Sequence, residues 1–363
     1  MKICLIGYGI PCLILANILN SRNIEVSIYK EKRNKKKFIS RTLGITKKNI
    51  DFLNKEKINL ENHIWHINNI KIFNFQNNKE ILNFDARNEK LFSVIKNYKF
   101  FDLLEKNIKK KKLIKFVNSN KINFYNSIIK NKNEFDVVIN FNENNKISKE
   151  IFFRRQNKNY NSIAYTTIIS HKKCDNRLAY QVFSKLGPIA FLPCSSKETS
   201  VVFSVLKQKN NTLENEILEL INKYNKKYII KSFSSFEKFN LKSSLLKNYY
   251  HKNILCFGDN IHKIHPLAGQ GLNMTIRDIN ILSELIDNRI YLGLPLDQSL
   301  TKEFEKKTKH FNYLYASSID FIYEFFKFDN KFNNFYSDKI FYFLKKNSSF
   351  KKFSTKFADN GFI

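Results

Sequence analysis

A glycine pair placed directly after a short apolar run constrains this chain more than any other feature of it. Ile3-Cys4-Leu5-Ile6 is continuously apolar, as in a strand buried on both faces. Gly7-Tyr8-Gly9 follows at once. Leu13, Leu15, Ala16, Ile18 and Leu19 then recur at helical spacing, and Glu25 to Tyr29 reads as a second strand. The whole is a strand–turn–helix–strand unit. Only 9 of the 363 residues are glycine, so two of them at this turn are informative.

The spacing is that of a turn that cradles a dinucleotide pyrophosphate, GxGxxG. Gly7 permits the tight turn, and Gly9 lets the backbone approach the phosphates. The helix N-terminus supplies N–H donors and a favourable dipole. Pro11 suits the first helical turn, where its missing N–H costs nothing. Cys12 replaces the third glycine and is still small, with helix and strand expected slightly further apart. A plain two-glycine turn remains the alternative. An acidic residue is expected at the end of the second strand, for the ribose hydroxyls. The usual register falls on Lys30, and Glu31 is the best candidate.

A second segment, Cys256 to Asp278, carries the stronger signal: CFGDNIHKIHPLAGQGLNMTIRD. It resembles the GD…H…P…GQGxNxxxxD signature of FAD-dependent aromatic hydroxylases, in particular the ubiquinone-biosynthesis branch of the para-hydroxybenzoate hydroxylase-like enzymes. Arg41-Thr42-Leu43-Gly44-Ile45 resembles that family's arginine segment after the second strand. Ala179-Tyr180-Gln181-Val182-Phe183 with Gly187-Pro188-Ile189-Ala190-Phe191-Leu192-Pro193 is similar to its substrate-domain segment, and 357–361 to its tail.

The resemblance implies FAD as cofactor, with NADH or NADPH as reductant. Gly7 and Gly9 would serve the pyrophosphate, Glu31 the ribose hydroxyls, and Arg41 would reach the FAD. Asp259 would accept hydrogen bonds from ribityl hydroxyls, and Pro266 would fix backbone beside the ring. Gly269, Gln270 and Gly271 would present N–H groups to the reduced ring, with Asn273 in the first helical turn binding backbone or ring carbonyls. His262 and His265 read as structural, so no catalytic side chain is assigned. The implied reaction places an oxygen atom from dioxygen on the ring of a polyprenylated phenol. Two departures stand out. The family's Asp-Gly after a mid-chain strand is absent: Val137-Val138-Ile139 runs into Asn140-Phe141-Asn142-Glu143, with Asn142 and Glu143 at the Asp-Gly positions. Tyr98 stands where an arginine is usual. The missing Asp-Gly suggests one rival, a non-catalytic FAD- or lipid-binding member of a ubiquinone-synthesis complex; a second is a hydroxylase of soluble aromatics.

The expected fold class is α/β, a Rossmann-like FAD-binding domain with an inserted antiparallel-sheet substrate domain and C-terminal helices. The expected boundaries are 1–60, 86–145 and 245–295 for the first, 61–85 and 146–244 for the second, and 296–363 for the helical segment. Strands are expected over 64–84, 113–141 and 164–206, with helices at 100–108, 272–286 and from 300 onward. The five cysteines are odd in number and form no CxxC, so they read as buried hydrophobes in a reducing compartment, with no zinc site. No signal peptide is read at the N-terminus, and no run of 18 apolar residues spans a membrane. A formal net charge of +31 fits either lysine bias along the whole chain or attraction to an anionic membrane. Nucleic acid is disfavoured, because the basic runs are not interleaved with aromatics. The expected location is cytoplasmic, peripheral on the inner face of the membrane, with the Phe-rich stretch 311–328 as contact.

Overall fold

Strand Lys2–Ile6 lies in the interior of a six-stranded sheet, and its four apolar residues are fully buried, as expected of a strand covered on both faces. The order is Tyr250–His251, Ile254–Cys256, Val137–Asn140, Lys2–Ile6, Glu25–Tyr29 and Ile114–Val117. The last five run parallel. Helix Ile10–Ser21 packs on this sheet through Leu13, Ile14, Leu15, Ile18 and Leu19, all fully buried. The computed structural model describes residues 1–30, 40–74, 80–85, 90–117, 121–130, 134–184, 186–206, 214–264 and 269–329.

A nine-stranded sheet forms the second layer, antiparallel except where Leu178–Ser184 pairs with Asn69–Asn74. Its spine is Arg155–His171, flanked by Glu237–Leu246 and Glu198–Leu206, and Gly187–Pro193 lies beyond the latter. Strand side chains alternate faces. One face carries Tyr165, Ile169, Val201, Phe203, Val205, Tyr180, Val182, Ile189 and Phe191, buried against helix Glu214–Tyr224. The opposite face carries smaller residues and turns toward a three-stranded sheet, Thr42–Thr46, Phe92–Lys96 and Ile64–Ile67. There Ala179 packs with Ile67 and Val94.

The α/β architecture agrees with the sequence reading, and three segments differ in detail. Ile64–Ile67 pairs with Phe92–Lys96, so it belongs to the small sheet rather than with the rest of 61–85. Within 113–141, Lys121–Ile129 is a helix. It buries Phe124, Tyr125 and Ile128, one helical face, and Phe124 stacks on Tyr29 with ring centroids 4.1 Å apart. Strand Glu237–Leu246 continues the substrate sheet to 246. Helices Asn97–Ile108 and Gln270–Tyr291 extend those expected; of the helical stretch expected from 300 onward, Gln298–Asp329 is helical and 330–363 lie outside the described residues. No described helix is long and apolar enough to cross a membrane.

Candidate functional site

Gly7 adopts φ +140°, a backbone region that disfavours side chains, and a Cβ there would lie 3.0 Å from Phe141 Cβ. Its N–H donates to the Tyr29 carbonyl at 3.1 Å, which ties the turn to the second strand. Gly9 caps helix Ile10–Ser21 with no side-chain hydrogen bond, Pro11 sits in the first turn, and no acidic residue lies there. The first N–H groups are therefore not claimed by a capping side chain. Cys12 is fully buried and its thiol donates to the Gly7 carbonyl at 3.3 Å, so the residue in the third glycine position braces the turn. Burial pushes that thiol pKa up. Tyr8 points away into packing with Phe101 and Phe116 and donates to Glu105 at 2.7 Å. Glu31 lies outside the described residues.

The second motif arrives beside the first. Gly258 has φ +63°, and a Cβ there would stand 3.6 Å from Phe141 Cδ1. Asp259, next in the chain, is exposed and its carboxylate has no partner among the described residues. Gly269 is left-handed at φ 65° and caps helix Gln270–Tyr291, whose first turn holds no acid and no side-chain cap. A Cβ on Gly269 would lie 3.7 Å from the Gly44 N–H nitrogen, so this turn abuts strand Thr42–Thr46. Arg41 precedes that strand, exposed and without a side-chain partner among the described residues. Gln270 and Gly271 open the helix. Pro266 lies outside the described residues.

Asn273 is committed to the protein. Its Oδ1 accepts from the Thr46 N–H at 3.1 Å and from Asn49 Nδ2 at 2.9 Å, and its Nδ2 donates to the Gly44 carbonyl at 3.0 Å. These bonds hold Gly44 against the turn.

The loop at the Asp-Gly positions is a buried polar knot. Asn140 Nδ2 donates to Ser148 Oγ at 2.9 Å, and Asn145 Nδ2 donates to Asn140 Oδ1 at 2.8 Å. Asn260 Nδ2 donates to the Asn140 carbonyl at 2.9 Å, and Arg155 Nη1 donates to the Asn260 carbonyl at 2.8 Å. Burial depresses the Arg155 pKa. Glu143 accepts from Lys263 at 2.6 Å. Among the described residues, only Asn23, Lys57, Asn161 and Lys252 combine a side chain with positive φ, so the Glu143 backbone does not require glycine. Sequence reasoning missed this knot, although the density of Asn from 140 to 145 was its signal.

It also missed a row of residues on the open face of the large sheet. Thr166 pairs with Val202, Val202 with Ala190, Ala190 with Gln181 and Gln181 with Ile72. Thr166 Oγ1 lies 3.3 Å from Ser40 Oγ, next to Arg41. Val202, Ala190 and Gln181 are half-buried, and Gln181 lies three strand spacings, about 14 Å, from Thr166. The alternation of these strands was legible; their register was not.

Three comparisons bear on this arrangement. Residues 159–288 match the family described as FAD binding domain. The chain is 26% identical over 204 residues to the mitochondrial ubiquinone biosynthesis monooxygenase COQ6 of Danio rerio, covering 45% of this chain and 42% of that one. It is 26% identical over 173 residues to the 3-demethoxyubiquinol 3-hydroxylase of Escherichia coli K12, covering 44% and 43%. These matches thus span less than half the length of each relative. The crystal structure of a probable FAD-dependent monooxygenase of Pseudomonas aeruginosa, PqsL, superposes with a TM-score of 0.73 at 13% identity, over 94% of this chain and 99% of that one. At that identity the likeness establishes the fold.

Proposed function

We propose that this chain, which carries an FAD binding domain match and resembles the flavin-dependent hydroxylases of ubiquinone biosynthesis, is an FAD-dependent monooxygenase acting on a polyprenylated phenol. One observation carries the reading: the two glycine turns, distant in sequence, both lie against the Phe141 side chain, and next to Gly258 stands the exposed Asp259 carboxylate, which has no partner among the described residues. The glycine at position 7 lets the turn pass close to Phe141, and the helix start after Gly9, with no capping side chain, presents backbone N–H groups to a phosphate-bearing ligand.

The residues fit FAD. The open helix start after Gly9 would hold the pyrophosphate, Asp259 the ribityl hydroxyls, and the Gly269–Gly271 turn the ring, with Arg41 reaching in from the adjoining strand. Bound FAD supplies the redox chemistry, with NADH or NADPH as reductant and dioxygen as oxygen donor. The chain's own residues hold and orient. Asn273 locks Gly44 and the helix start, and the Thr166–Val202–Ala190–Gln181 row offers a mostly small floor on which an aromatic ring can lie. On the far flank, Phe321 is 71% exposed and Tyr313 and Phe328 are also exposed, which supports peripheral contact with a membrane holding the lipid substrate. The corresponding location is the inner face of a cytoplasmic membrane.

A second reading, a non-catalytic FAD- or lipid-binding member of a synthesis complex, is favoured by the Glu143–Lys263 bond where Asp-Gly would stand. The test is acid-released flavin per chain, followed by mass analysis of a prenylated phenol incubated with NADH or NADPH. An added oxygen atom supports the monooxygenase. Bound flavin with no product under either reductant supports the second reading.

A further inference from the structure

Helix Gln298–Asp329 touches both halves of the proposed site. Toward its C-terminal end it lies on the substrate sheet: Tyr323 packs with Tyr160, Ala164 and Leu241, and its hydroxyl lies 3.1 Å from Ser162 Oγ. Asp320 accepts from the Tyr160 hydroxyl. One to two turns earlier, Tyr315, Ala316 and Ile319 form a cluster with Ile264 and Met274. Those two residues flank the turn in sequence: Ile264 precedes Gly269–Gly271, and Met274 follows it early in helix Gln270–Tyr291.

A polar contact at the same level joins the two stems. His262 Nε2 lies 2.7 Å from Asp278 Oδ2, and both side chains are fully buried. The bond joins positions 262 and 278 on either side of Gly269–Gly271, and a cross-link of this kind lowers the freedom of the turn it spans. Asn312, from the long helix, donates to both Asp278 oxygens at 3.3 and 3.1 Å. Arg277 donates to Asn312 Oδ1 at 2.7 Å, which fixes the amide with its NH2 toward Asp278. A buried carboxylate is costly unless its lone pairs are satisfied, so a shift of Asn312 disturbs Asp278 and the stems it clamps.

We propose that helix Gln298–Asp329 couples occupancy of the substrate sheet to the flavin turn, with His262, Asp278 and Asn312 as positioning residues. The proposal rests on FAD binding at Gly269–Gly271. A phenol seated on the open face of the sheet stabilises the helix where Tyr323 and Tyr160 hold it. The helix in turn holds Asn312 on Asp278, and the turn presents its N–H groups in one arrangement. By reciprocity, bound FAD tightens phenol binding to the same degree.

The experiment is FAD titration of the apoprotein, with and without saturating short-chain prenyl phenol, for wild type, Asn312→Ala and Tyr323→Phe. The ratio of the two dissociation constants is the coupling. Wild type is expected to show at least about fivefold, the lower edge of ordinary inter-site coupling. Both variants are expected to bring the ratio toward one. Thr308→Ala, which removes a hydroxyl bonded within the same helix, serves as control and keeps the wild-type ratio while lowering thermal stability. A structural role alone would lower the melting temperature of Asn312→Ala and leave its ratio intact, and that result overturns the proposal. Tyr323→Phe deletes only a hydroxyl and decides the matter if Asn312→Ala does not fold. A wild-type ratio of one also overturns it, whereas a wild type that takes up no FAD overturns the functional reading beneath it.

Discussion

Phe141 occupies the space that a side chain on Gly7 would need, with only 3.0 Å between the Phe141 Cβ and the position of a Cβ at residue 7. Phe141 cannot withdraw easily, because its own N–H donates to the Ile6 carbonyl at 2.9 Å and its ring packs against Phe257. Gly7→Ala therefore combines an unfavourable φ with a backbone-near clash. The expected loss is about 1–3 kcal/mol of folding stability, read by urea denaturation of the FAD-free protein. An unchanged midpoint would show that the turn relaxes at no cost.

Asp259→Asn is expected to leave folding intact and weaken FAD. The carboxylate is exposed and has no partner among the described residues, so its neutralisation breaks no contact there. Hydrogen bonds to a charged acceptor contribute about 1.5–3 kcal/mol. Isothermal titration of apoprotein with FAD measures the difference, and an unaltered dissociation constant would remove Asp259 from the site.

Ala190→Phe tests the sheet floor separately from the flavin. Ala190 sits mid-row between Val202 and Gln181 on the open face. A large ring there fills the space proposed for the phenol, and overfilling a packed site costs about 1–3 kcal/mol. The expected result is about tenfold or greater loss of phenol affinity at unchanged flavin content. Equal affinity would place the substrate elsewhere.

His66 provides a pH signature. Burial holds its pKa below the ordinary value, with Lys90 acting in the same direction. A group whose folded pKa is depressed takes up its proton later than in the unfolded chain. Unfolding is thus favoured as pH falls through the window below about 6.5. His66→Gln, which can keep a hydrogen bond to Ser93 Oγ, is expected to flatten stability across that window. An identical slope in the variant would assign the pH dependence to other groups.

The parts of the fold that were legible are those fixed by nearby residues. Lys2–Tyr29 declares itself through an apolar run, two glycines and a helical stripe, and Gln270–Tyr291 through glycines followed by a 3.6-residue period. What escaped depends on residues far apart. Lys121–Ile129 is rich in Ile, Phe and Tyr, which suit a strand, yet one helical face meets Tyr29 and decides the outcome. Ile64–Ile67 is β-prone like its neighbours, and only its pairing with Phe92–Lys96 assigns it to the small sheet. The Thr166–Val202–Ala190–Gln181 row needs three strand registers at once, and a one-residue slip in any would turn its members to the other face. Asn273 was legible as important, but its commitment to Gly44, Thr46 and Asn49 required the tertiary contact.

The last prediction concerns the reductant. The loop at 140–145 is held from several sides: Asn142 Oδ1 accepts from the Asn144 N–H at 2.8 Å, Ser148 Oγ donates to the Asn142 carbonyl at 2.6 Å, and Lys263 binds Glu143. Lys263 is one residue from Ile264 and the stem of the flavin turn, so the bond ties the loop to the proposed site. An Asp-Gly pair at 142–143 would remove that anchor, move the carboxylate from 143 to 142 and bare the backbone. With its present residues the loop is expected to admit the nicotinamide poorly, giving slow flavin bleaching under NADH or NADPH when no phenol is present. The double variant Asn142→Asp/Glu143→Gly is expected to bleach at least tenfold faster, a barrier change of about 1.4 kcal/mol. Glu143→Gln separates the two contributions, since it weakens the Lys263 bond and retains the side chain; it should recover only part of the rate. Stopped-flow absorbance at the flavin band measures all three. Fast bleaching in the wild type would show that the loop does not limit reduction, and an unaccelerated double variant would place the obstruction outside 142–143.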